Sequence, residues 1–290
     1  MNPLKPRITG DGSFSLFCEA TGEGFHCAEG AKAEAQRVFV APAGLERFAF
    51  GSALKVVEVA VGTGTNTAAL LEATQARGLE LRWWGLEQDP RPLALALGDV
   101  TFGSQWSASA LEALRQLTAS ERLLWGDARR RLADLPPELT GACDLVLLDA
   151  FSPQRCPQLW SVEVLSRLAR LLRPEGRLLT YSCAAAVRRG LEQAGLQLAA
   201  IPAAPGAPSR GERWSGGTAA SPSALPTGHL QALSPMEREH LASRAGEPYR
   251  DPTGQGQREE LLALRQAAQA RSPAEPASAW RRRWGMGARR

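Results

Sequence analysis

Short apolar segments alternate with helical segments between residues 55 and 200, and this alternation constrains the fold more than any other feature of the sequence. Residues 55–61 (KVVEVAV) are apolar and β-branched, and the glycine turn 62–64 follows at once. This pattern is typical of a buried parallel strand that leads into a helix. We predict further strands, with helical crossovers between them, at residues 81–86, 123–125, 144–149 and 177–182. The sequence therefore predicts an α/β fold whose open, mostly parallel sheet has helices on both faces.

Composition excludes several other classes of protein. Of the 290 residues, 44% are hydrophobic and 22% are charged, which is typical of a globular chain and not of a disordered or fibrous one. Its apolar runs are shorter than the roughly 18 residues that a membrane-spanning helix requires. The five cysteines contain no CxxC pair, and their odd number argues against a disulfide framework. With Pro3 and Pro6 at a start that lacks a signal-like apolar stretch, we expect a soluble, cytoplasmic protein without membrane or metal partners.

Three regions are predicted along the chain: a hairpin region, the α/β domain and a basic, partly helical tail, at residues 1–54, 55–220 and 221–290. A Pro/Gly-rich insertion at about 202–217 leads into the closing strand of the sheet, for which we propose residues 213–219, so the two ranges overlap at their boundary.

Basic charge is concentrated near the end of the sequence. Residues 203–290 carry 13 basic and 8 acidic side chains, a net charge of +5, whereas residues 1–202 carry 21 and 22. The densest parts are residues 280–284 (WRRRW) and Arg289-Arg290. Such a segment can neutralise phosphates, so contact with a nucleic acid is one interpretation and a solubilising tail is the other.

Polar residues cluster where the predicted strands end, which is where parallel sheets bind ligands. Glu87 ends the second strand, and its carboxylate can accept hydrogen bonds from both hydroxyls of a ribose. Asp127 follows the third strand and can accept the amino hydrogens of an adenine. Together with the glycine turn they predict an adenosine pocket, and because no Walker-type lysine follows the turn, nucleotide hydrolysis is disfavoured. The residues that we assign to this pocket are Glu58, Gly62, Thr63, Gly64, Asn66, Glu87, Asp127 and Ala128.

The turn Asp149-Ala150-Phe151-Ser152-Pro153 after the fourth strand is the most informative motif. It places a carboxylate beside an aromatic ring, on a turn that a proline stiffens. The ring could stack on a nucleobase, which is worth about 1–3 kcal/mol, and the carboxylate could orient an amine. The alternative is that Asp149 caps the loop and Phe151 belongs to the core.

With these motifs the chain resembles the methyltransferase domain of the tRNA 5-methylaminomethyl-2-thiouridine biosynthesis family (MnmC/MnmD type). The similarity extends over roughly residues 13–200 and includes Pro157-x-Leu159-Trp160. Val61 departs from the family's usual aromatic residue, and Thr65 from a common apolar one. The stretches that carry the resemblance are residues 22–39, 58–66, 149–153, 157–160 and 180–189.

The resemblance implies a class I S-adenosylmethionine-dependent methyltransferase with a Rossmann-like sheet, an N-terminal hairpin extension and S-adenosyl-L-methionine as cofactor. The glycine turn with Asn66 would line the methionine side, Glu87 the ribose and Asp127 the adenine. Asp149 would be catalytic and face the aminomethyl group of a wobble uridine in tRNA, converting 5-aminomethyl-2-thiouridine to its methylaminomethyl form. The residues expected around that substrate are His26, Phe151, Trp160 and Tyr181.

Because no GxGxxG turn follows residue 200, the chain resembles the stand-alone methyltransferase, and separate enzymes would supply the aminomethyl-uridine precursor. Two other functions stay open. An aminopropyltransferase of the polyamine-synthase type uses a related sheet, although Gly-Thr-Gly-Thr-Asn differs from the Gly-Gly-Gly-Asp-Gly that such enzymes typically have. A non-catalytic RNA-binding module with a vestigial nucleotide pocket would instead depend on the tail, with Trp280 and Trp284.

Overall fold

The computed structural model of the chain describes residues 3–28, 30–204, 214–226 and 228–286. Two compact units are distinguished by their internal contacts. The first comprises Met1–Phe151 and Leu171–Thr180, and the second comprises Ser152–Arg170 and Tyr181–Arg290. The three-region division of the sequence stays a prediction.

The strands of the described residues are β1 (Leu4–Ile8), β2 (Phe14–Cys18), β3 (Glu23–Gly24), β4 (Ala53–Val59), β5 (Glu80–Glu87), β6 (Leu123–Trp125), β7 (Cys143–Leu148), β8 (Leu172–Thr180), β9 (Gln197–Ile201) and β10 (Gly217–Ser221). The α-helices are α1 (Ala31–Ala35), α2 (Thr65–Ala76), α3 (Arg91–Gly98), α4 (Val100–Ser104), α5 (Ala108–Thr118), α6 (Ala128–Arg131), α7 (Val162–Ala169), α8 (Ala185–Gln193), α9 (Pro235–Ala242), α10 (Arg258–Arg271) and α11 (Ala277–Arg283). No helix in these described segments combines the length and the apolar character needed to cross a membrane.

Seven strands, β4 to β10, form a mostly parallel sheet, which confirms the predicted α/β fold. In the first unit the strand order is β6-β5-β4-β7-β8, and every neighbouring pair is parallel. The central strand β7 is buried at all six positions, as expected for a strand that helices cover on both faces.

Helix α2 begins earlier than the sequence suggests. Asn66 or Thr67 is the predicted N-cap, but the N-cap is Gly64, which has φ of 78°. A left-handed conformation is strained for residues other than glycine, so this position favours glycine for a conformational reason. Gly78, with φ of 64°, follows the helix end as predicted.

Strand β8 starts where the sequence predicts a helix terminator. The helix predicted to continue through Leu172 ends at Ala169, and β8 then includes Pro174-Glu175-Gly176. The pairing of β7 with β8 shifts register between Cys143 and Leu145, and a Cβ at Gly176 would lie 2.6 Å from the Cys143 carbonyl oxygen. A strand irregularity of this kind tolerates Pro and Gly, which explains why turn-forming residues occur inside a strand.

The predicted N-terminal hairpin is present as an antiparallel sheet of β1, β2 and β3. Phe14 and Leu16 on β2 are buried, and the Phe14 ring meets Phe102 of α4 edge to face at 6.0 Å. The hairpin is therefore fixed to the first unit by apolar packing.

In the second unit, β9 and β10 pair antiparallel. The predicted closing strand at 213–219 corresponds to β10, although Arg213 lies outside the described residues. A buried ion pair joins Arg188 of α8 to Glu237 of α9 at 2.9 Å.

Candidate active site at the carboxyl edge of the sheet

Four neighbouring strands of the first unit end level with one another. Val59 of β4 is in register with Leu86 of β5 and with Leu148 of β7, and Glu87 is in register with Trp125 of β6. The polar residues that follow these strands therefore meet at one edge of the sheet, where α/β folds bind ligands. Their order along this edge is Asp127 after β6, Glu87 on β5, the glycine loop after β4 and Asp149 after β7.

The loop after β4 has a tightly constrained backbone. Gly62 and Gly64 have φ of 58° and 78°, and Ala60 has φ of 64°, a rare conformation for a residue with a side chain. Thr63 is buried and its hydroxyl lies 2.7 Å from that of Thr65. The loop leads directly into α2, and within it the Gly64 amide donates to the Val61 carbonyl at 2.9 Å.

Glu87 is held by the glycine loop and by the chain that follows it. Its Oε2 accepts a hydrogen bond from the Gly62 amide at 2.8 Å, and its Oε1 accepts from the amides of Gln88 and Asp89 at 2.7 and 2.8 Å. Burial raises the pKa of this carboxyl, and the three amides act in the opposite direction. Glu87 thus lies at the predicted place, next to the loop.

Asp127 caps α6. Its carboxylate accepts the Arg129 amide at 2.9 Å and pairs with the Arg129 guanidinium at 2.7 Å. Burial alone would raise the pKa of Asp127, but the hydrogen bonds from Arg129 prevail and lower it. Ala128 is buried beside it in the first turn of that helix.

Glu58 is fully buried within the first unit. Its Oε2 accepts hydrogen bonds from the Thr67 hydroxyl at 2.5 Å and the Trp83 indole at 2.8 Å, and the residue has 0% exposure. Burial raises its pKa to about 7. This carboxyl supports the start of α2 through Thr67, and its assignment to cofactor contact stays a prediction.

Asp149 and Asn66 are directly bonded. The Asn66 side-chain amide donates to Asp149 Oδ2 at 2.7 Å, and the Asp149 backbone amide donates to the Val59 carbonyl at 3.2 Å. The pKa of Asp149 is raised well above its usual value by burial and by the charges of Glu34 and Glu58, which the Asn66 hydrogen bond partly offsets. A carboxyl group with a raised pKa is a better proton acceptor than an exposed aspartate.

Phe25, which we did not assign from the sequence, covers this edge. Its ring would lie 3.2 Å from a Cβ at Gly62, and it meets Phe151 edge to face with ring centroids 5.1 Å apart. It follows β3 of the hairpin. The only sequence signal was its place in the stretch Gly22–His26 that carries the family resemblance.

His26 lies next to Phe25 and is engaged locally. Its Nδ1 lies 2.9 Å from the Ser15 hydroxyl, and its carbonyl accepts a hydrogen bond from Arg7. Burial, reinforced by the charge of Arg7, lowers the pKa of His26 to about 4, so the ring is neutral at physiological pH.

The remaining two predicted substrate residues belong to the second unit. Trp160 has 0% exposure and meets Tyr181 edge to face with centroids 6.0 Å apart. Because the ring is fully buried, Trp160 supports Tyr181 in this structure, and its assignment to substrate contact stays a prediction. Tyr181 is partly exposed, and its predicted role stays a prediction.

Among the residues that the structure describes, no group of three or more His, Cys, Asp or Glu side chains is arranged to hold a metal ion. The carboxyl edge brings together the glycine loop, the Glu87 carboxylate held by three backbone amides and the Asp149 carboxyl bonded to Asn66.

Known proteins with similar sequences and structures point to one family. A family model described as S-adenosyl-L-methionine-dependent methyltransferase matches residues 102–215. The tRNA 5-methylaminomethyl-2-thiouridine biosynthesis bifunctional protein MnmC of Cupriavidus necator is 30% identical over 223 residues, which cover 70% of this chain and 33% of that protein. Its counterpart in Ralstonia nicotianae is 33% identical over 214 residues, covering 68% and 32%.

This chain thus spans about a third of the length of the curated relatives that it matches. The crystal structure of MnmC2 from Aquifex aeolicus is similar over 93% of this chain and 86% of that one, with a TM-score of 0.75 and 24% identity, which supports the fold. Sequence and fold agree: the chain belongs to the S-adenosyl-L-methionine-dependent methyltransferases and is a methyltransferase domain of the MnmC type.

Proposed function

We propose that this domain methylates the primary amine of 5-aminomethyl-2-thiouridine at the wobble position of tRNA, giving 5-methylaminomethyl-2-thiouridine. The observation that carries the proposal is Asp149, a carboxyl group of raised pKa held at the carboxyl edge by Asn66 and followed by Phe151. The names of the relatives describe the same product. Such a reaction belongs in the cytoplasm and needs separate enzymes that supply the aminomethyl precursor.

The residues present fit S-adenosyl-L-methionine. The loop 60–67 contains no Lys or Arg, so it lacks a phosphate clamp, and Gly62 leaves no room for a side chain beneath Phe25. Gly62, Gly64 and Asn66 would line the methionine side, with Glu87 at the ribose and Asp127 with Ala128 at the adenine. When bound, this cofactor supplies an electrophilic methyl group.

The protein's own contribution to transfer is positioning and proton acceptance. Asp149 would hold the amine through its Oδ1 and take the proton that the nitrogen loses as it gains the methyl group. Phe25 and Phe151 would border the uracil ring and exclude water. The neutral His26 adds no positive charge that would repel an aminomethyl cation.

Phosphate contacts would come from the tail, but from fewer residues than the sequence suggests. Trp280 is 1% exposed, and Arg283 is paired with Glu275 at 2.7 Å and with Glu239. Arg281 and Arg282 are exposed on α11 and are the tail cations that we assign to tRNA contact. Arg289 and Arg290 lie outside the described residues.

The test is a methylation assay with purified protein and tRNA that carries 5-aminomethyl-2-thiouridine, read out by nucleoside analysis. We expect product with the natural chain and a loss of about 10²–10⁴-fold in kcat for Asp149→Asn, with cofactor affinity retained, because general-base contributions have this size. Asp134→Asn, which removes an exposed carboxylate paired with Arg131, is the matched control and should keep full activity. Absence of product with the natural chain would refute the function, and full activity of Asp149→Asn would refute the role of that residue.

The two other functions weighed from the sequence receive no support from a specific observation. The family match favours methyl transfer over aminopropyl transfer. A non-catalytic module would need Trp280 for RNA contact, and this ring is buried.

A further inference from the structure

Asn66 lies in the first turn of α2, at a place set by the glycine loop. It is 3% exposed, and its position follows from the left-handed conformation of Gly64 at the N-cap. The side-chain amide lies 2.7 Å from Asp149 Oδ2, so Asn66 connects the loop after β4 to the end of β7 across 83 positions of sequence. A buried amide that donates to a carboxylate has a fixed orientation, because its other rotamers lose that hydrogen bond.

The two oxygens of Asp149 have different surroundings. Oδ2 accepts the amide of Asn66, whereas Oδ1 accepts no hydrogen bond from any residue in the described part of the chain. The charged groups that act on this carboxyl are Glu34 of α1 and Glu58 of β4, and both disfavour its ionised form. The Asn66 amide is the hydrogen-bond donor that opposes them, so it keeps the carboxylate available as an acceptor.

We propose that Asn66 is a positioning residue for amine methylation, which holds Asp149 by Oδ2 and leaves Oδ1 free for the substrate amine. This inference rests on the function proposed above and deepens it. Besides its expected place at the methionine side, Asn66 would then have a role that the glycines of the same loop, which shape the pocket through their backbone, do not share. No bond is made or broken at Asn66, which acts only through the carboxylate that it orients.

The direct test measures the ionisation of Asp149 without any substrate. In protein labelled with ¹³C at aspartate carboxyls, the Asp149 signal is assigned by its disappearance in Asp149→Asn and followed against pH. We expect the titration midpoint of Asp149 to move to higher pH in Asn66→Ser, where a shorter hydroxyl side chain replaces the amide donor. It should move further in Asn66→Asp, where a carboxylate of the same shape replaces the amide. Gln75→Ala, an exposed change on the same helix, is the control and should leave the midpoint unchanged.

The kinetic test asks whether that ionisation governs the reaction. In Asn66→Ser and Asn66→Asp the acidic limb of the pH profile of kcat should move to higher pH, with about a tenfold loss of kcat below the limb for each unit of displacement. Affinity for S-adenosyl-L-methionine, measured by calorimetry, should change much less than kcat.

The outcomes separate the two proposals. Weakened cofactor affinity with an unchanged pH profile and an unchanged Asp149 midpoint would show that Asn66 acts only as a cofactor contact and would overturn this inference. A natural chain that methylates no aminomethyl-uridine would overturn the proposed function instead, while the carboxyl titration still reports whether Asn66 controls Asp149.

Discussion

Carboxyl groups at the ends of neighbouring strands have opposite shifts of pKa. Burial raises the pKa values of Glu58, Glu87 and Asp149, whereas hydrogen bonds from Arg129 lower that of Asp127. The difference follows from the donor, since only Asp127 is paired with a cation. Along the carboxyl edge, Asp127 therefore favours its ionised form, whereas Glu87 and Asp149 bind a proton more readily than exposed carboxyls do.

The buried carboxyl group of Glu58 should make the free energy of unfolding depend on pH. Its pKa rises from 4.5 to about 7 on folding, so the native state binds a proton that the unfolded chain has lost between these pH values. A raised carboxyl pKa stabilises the fold at low pH, and this stability is lost as the pH rises through 7. Relative to Glu58→Gln, the natural chain should lose about 3 kcal/mol of unfolding free energy between pH 4.5 and 8.

Urea unfolding of both proteins across this pH range is the measurement. A difference between them that stays constant with pH would show that Glu58 does not titrate in the native state.

At the residue level, sequence analysis was able to place Gly62, Glu87, Asp127 and Asp149 at the carboxyl edge because each directly ends or follows an apolar strand. Its assignment of Glu58 to cofactor contact stays a prediction, and the contacts of this buried carboxyl with Thr67 and Trp83 were not predicted, since strand periodicity does not reveal which neighbour a buried side chain meets. Phe25 was missed for a related reason. Its partners Gly62 and Phe151 are distant in sequence, and no local pattern encodes such a contact.

Among the elements, the buried strands were predicted well and the irregular ones less well. Strands β4, β5 and β7 are short and mostly apolar and are followed by polar or glycine-rich turns, a pattern that is typical of buried parallel strands. Strand β8 contains Pro174 and Gly176, whose local preference is a turn, and pairing with β7 overrides that preference. Tertiary pairing is invisible to a local pattern, so the start of β8 could not be predicted.

The second prediction concerns tRNA binding by the exposed arginines of helix α11. Trp280 fixes the helix through its contact with His240, at a centroid distance of 4.1 Å, so Arg281 and Arg282 stand on its exposed side. Replacing both by Gln should weaken tRNA binding and reduce its salt dependence by about one unit of slope for each phosphate that is no longer neutralised.

Fluorescence titrations of tRNA at several salt concentrations measure this effect. The matched control is the double change of Arg250 and Arg258 to Gln, which removes the same charge from cations that Glu163 and Glu259 already neutralise. Equal weakening by both double variants would indicate that only net charge matters, which would contradict the assignment to α11.

At the scale of the whole molecule, the buried ion pair of Arg188 and Glu237 connects several elements of the second unit. Arg188 also donates to the Thr218 hydroxyl at 2.9 Å and the Gly217 carbonyl at 3.2 Å, so a single guanidinium joins α8, α9 and β10. Glu237 in turn accepts the Ser215 amide at 3.0 Å. Because both charged groups are buried, removing either one leaves the other without a counter-charge and lowers the stability of the fold.

Removing one partner should therefore destabilise the protein strongly. We expect Arg188→Met to cost about 3–5 kcal/mol of unfolding free energy, because Glu237 is left buried and unpaired. The double variant Arg188→Met with Glu237→Leu should cost clearly less than the sum of the two single changes. Chemical denaturation of all four proteins gives the coupling energy, and additive effects would show that the two side chains are independent.

The contact of Phe25 with Gly62 and Phe151 has a consequence for how enzymes of this kind diversify. Under the proposed function, the residue that follows the small antiparallel sheet of β1 to β3 would border the methyl acceptor, whereas loops after β4 and β5 would hold the methyl donor. New acceptors can thus evolve through changes around residue 25 that leave the donor machinery intact, and a chimaera with an exchanged hairpin is the natural way to redirect the reaction.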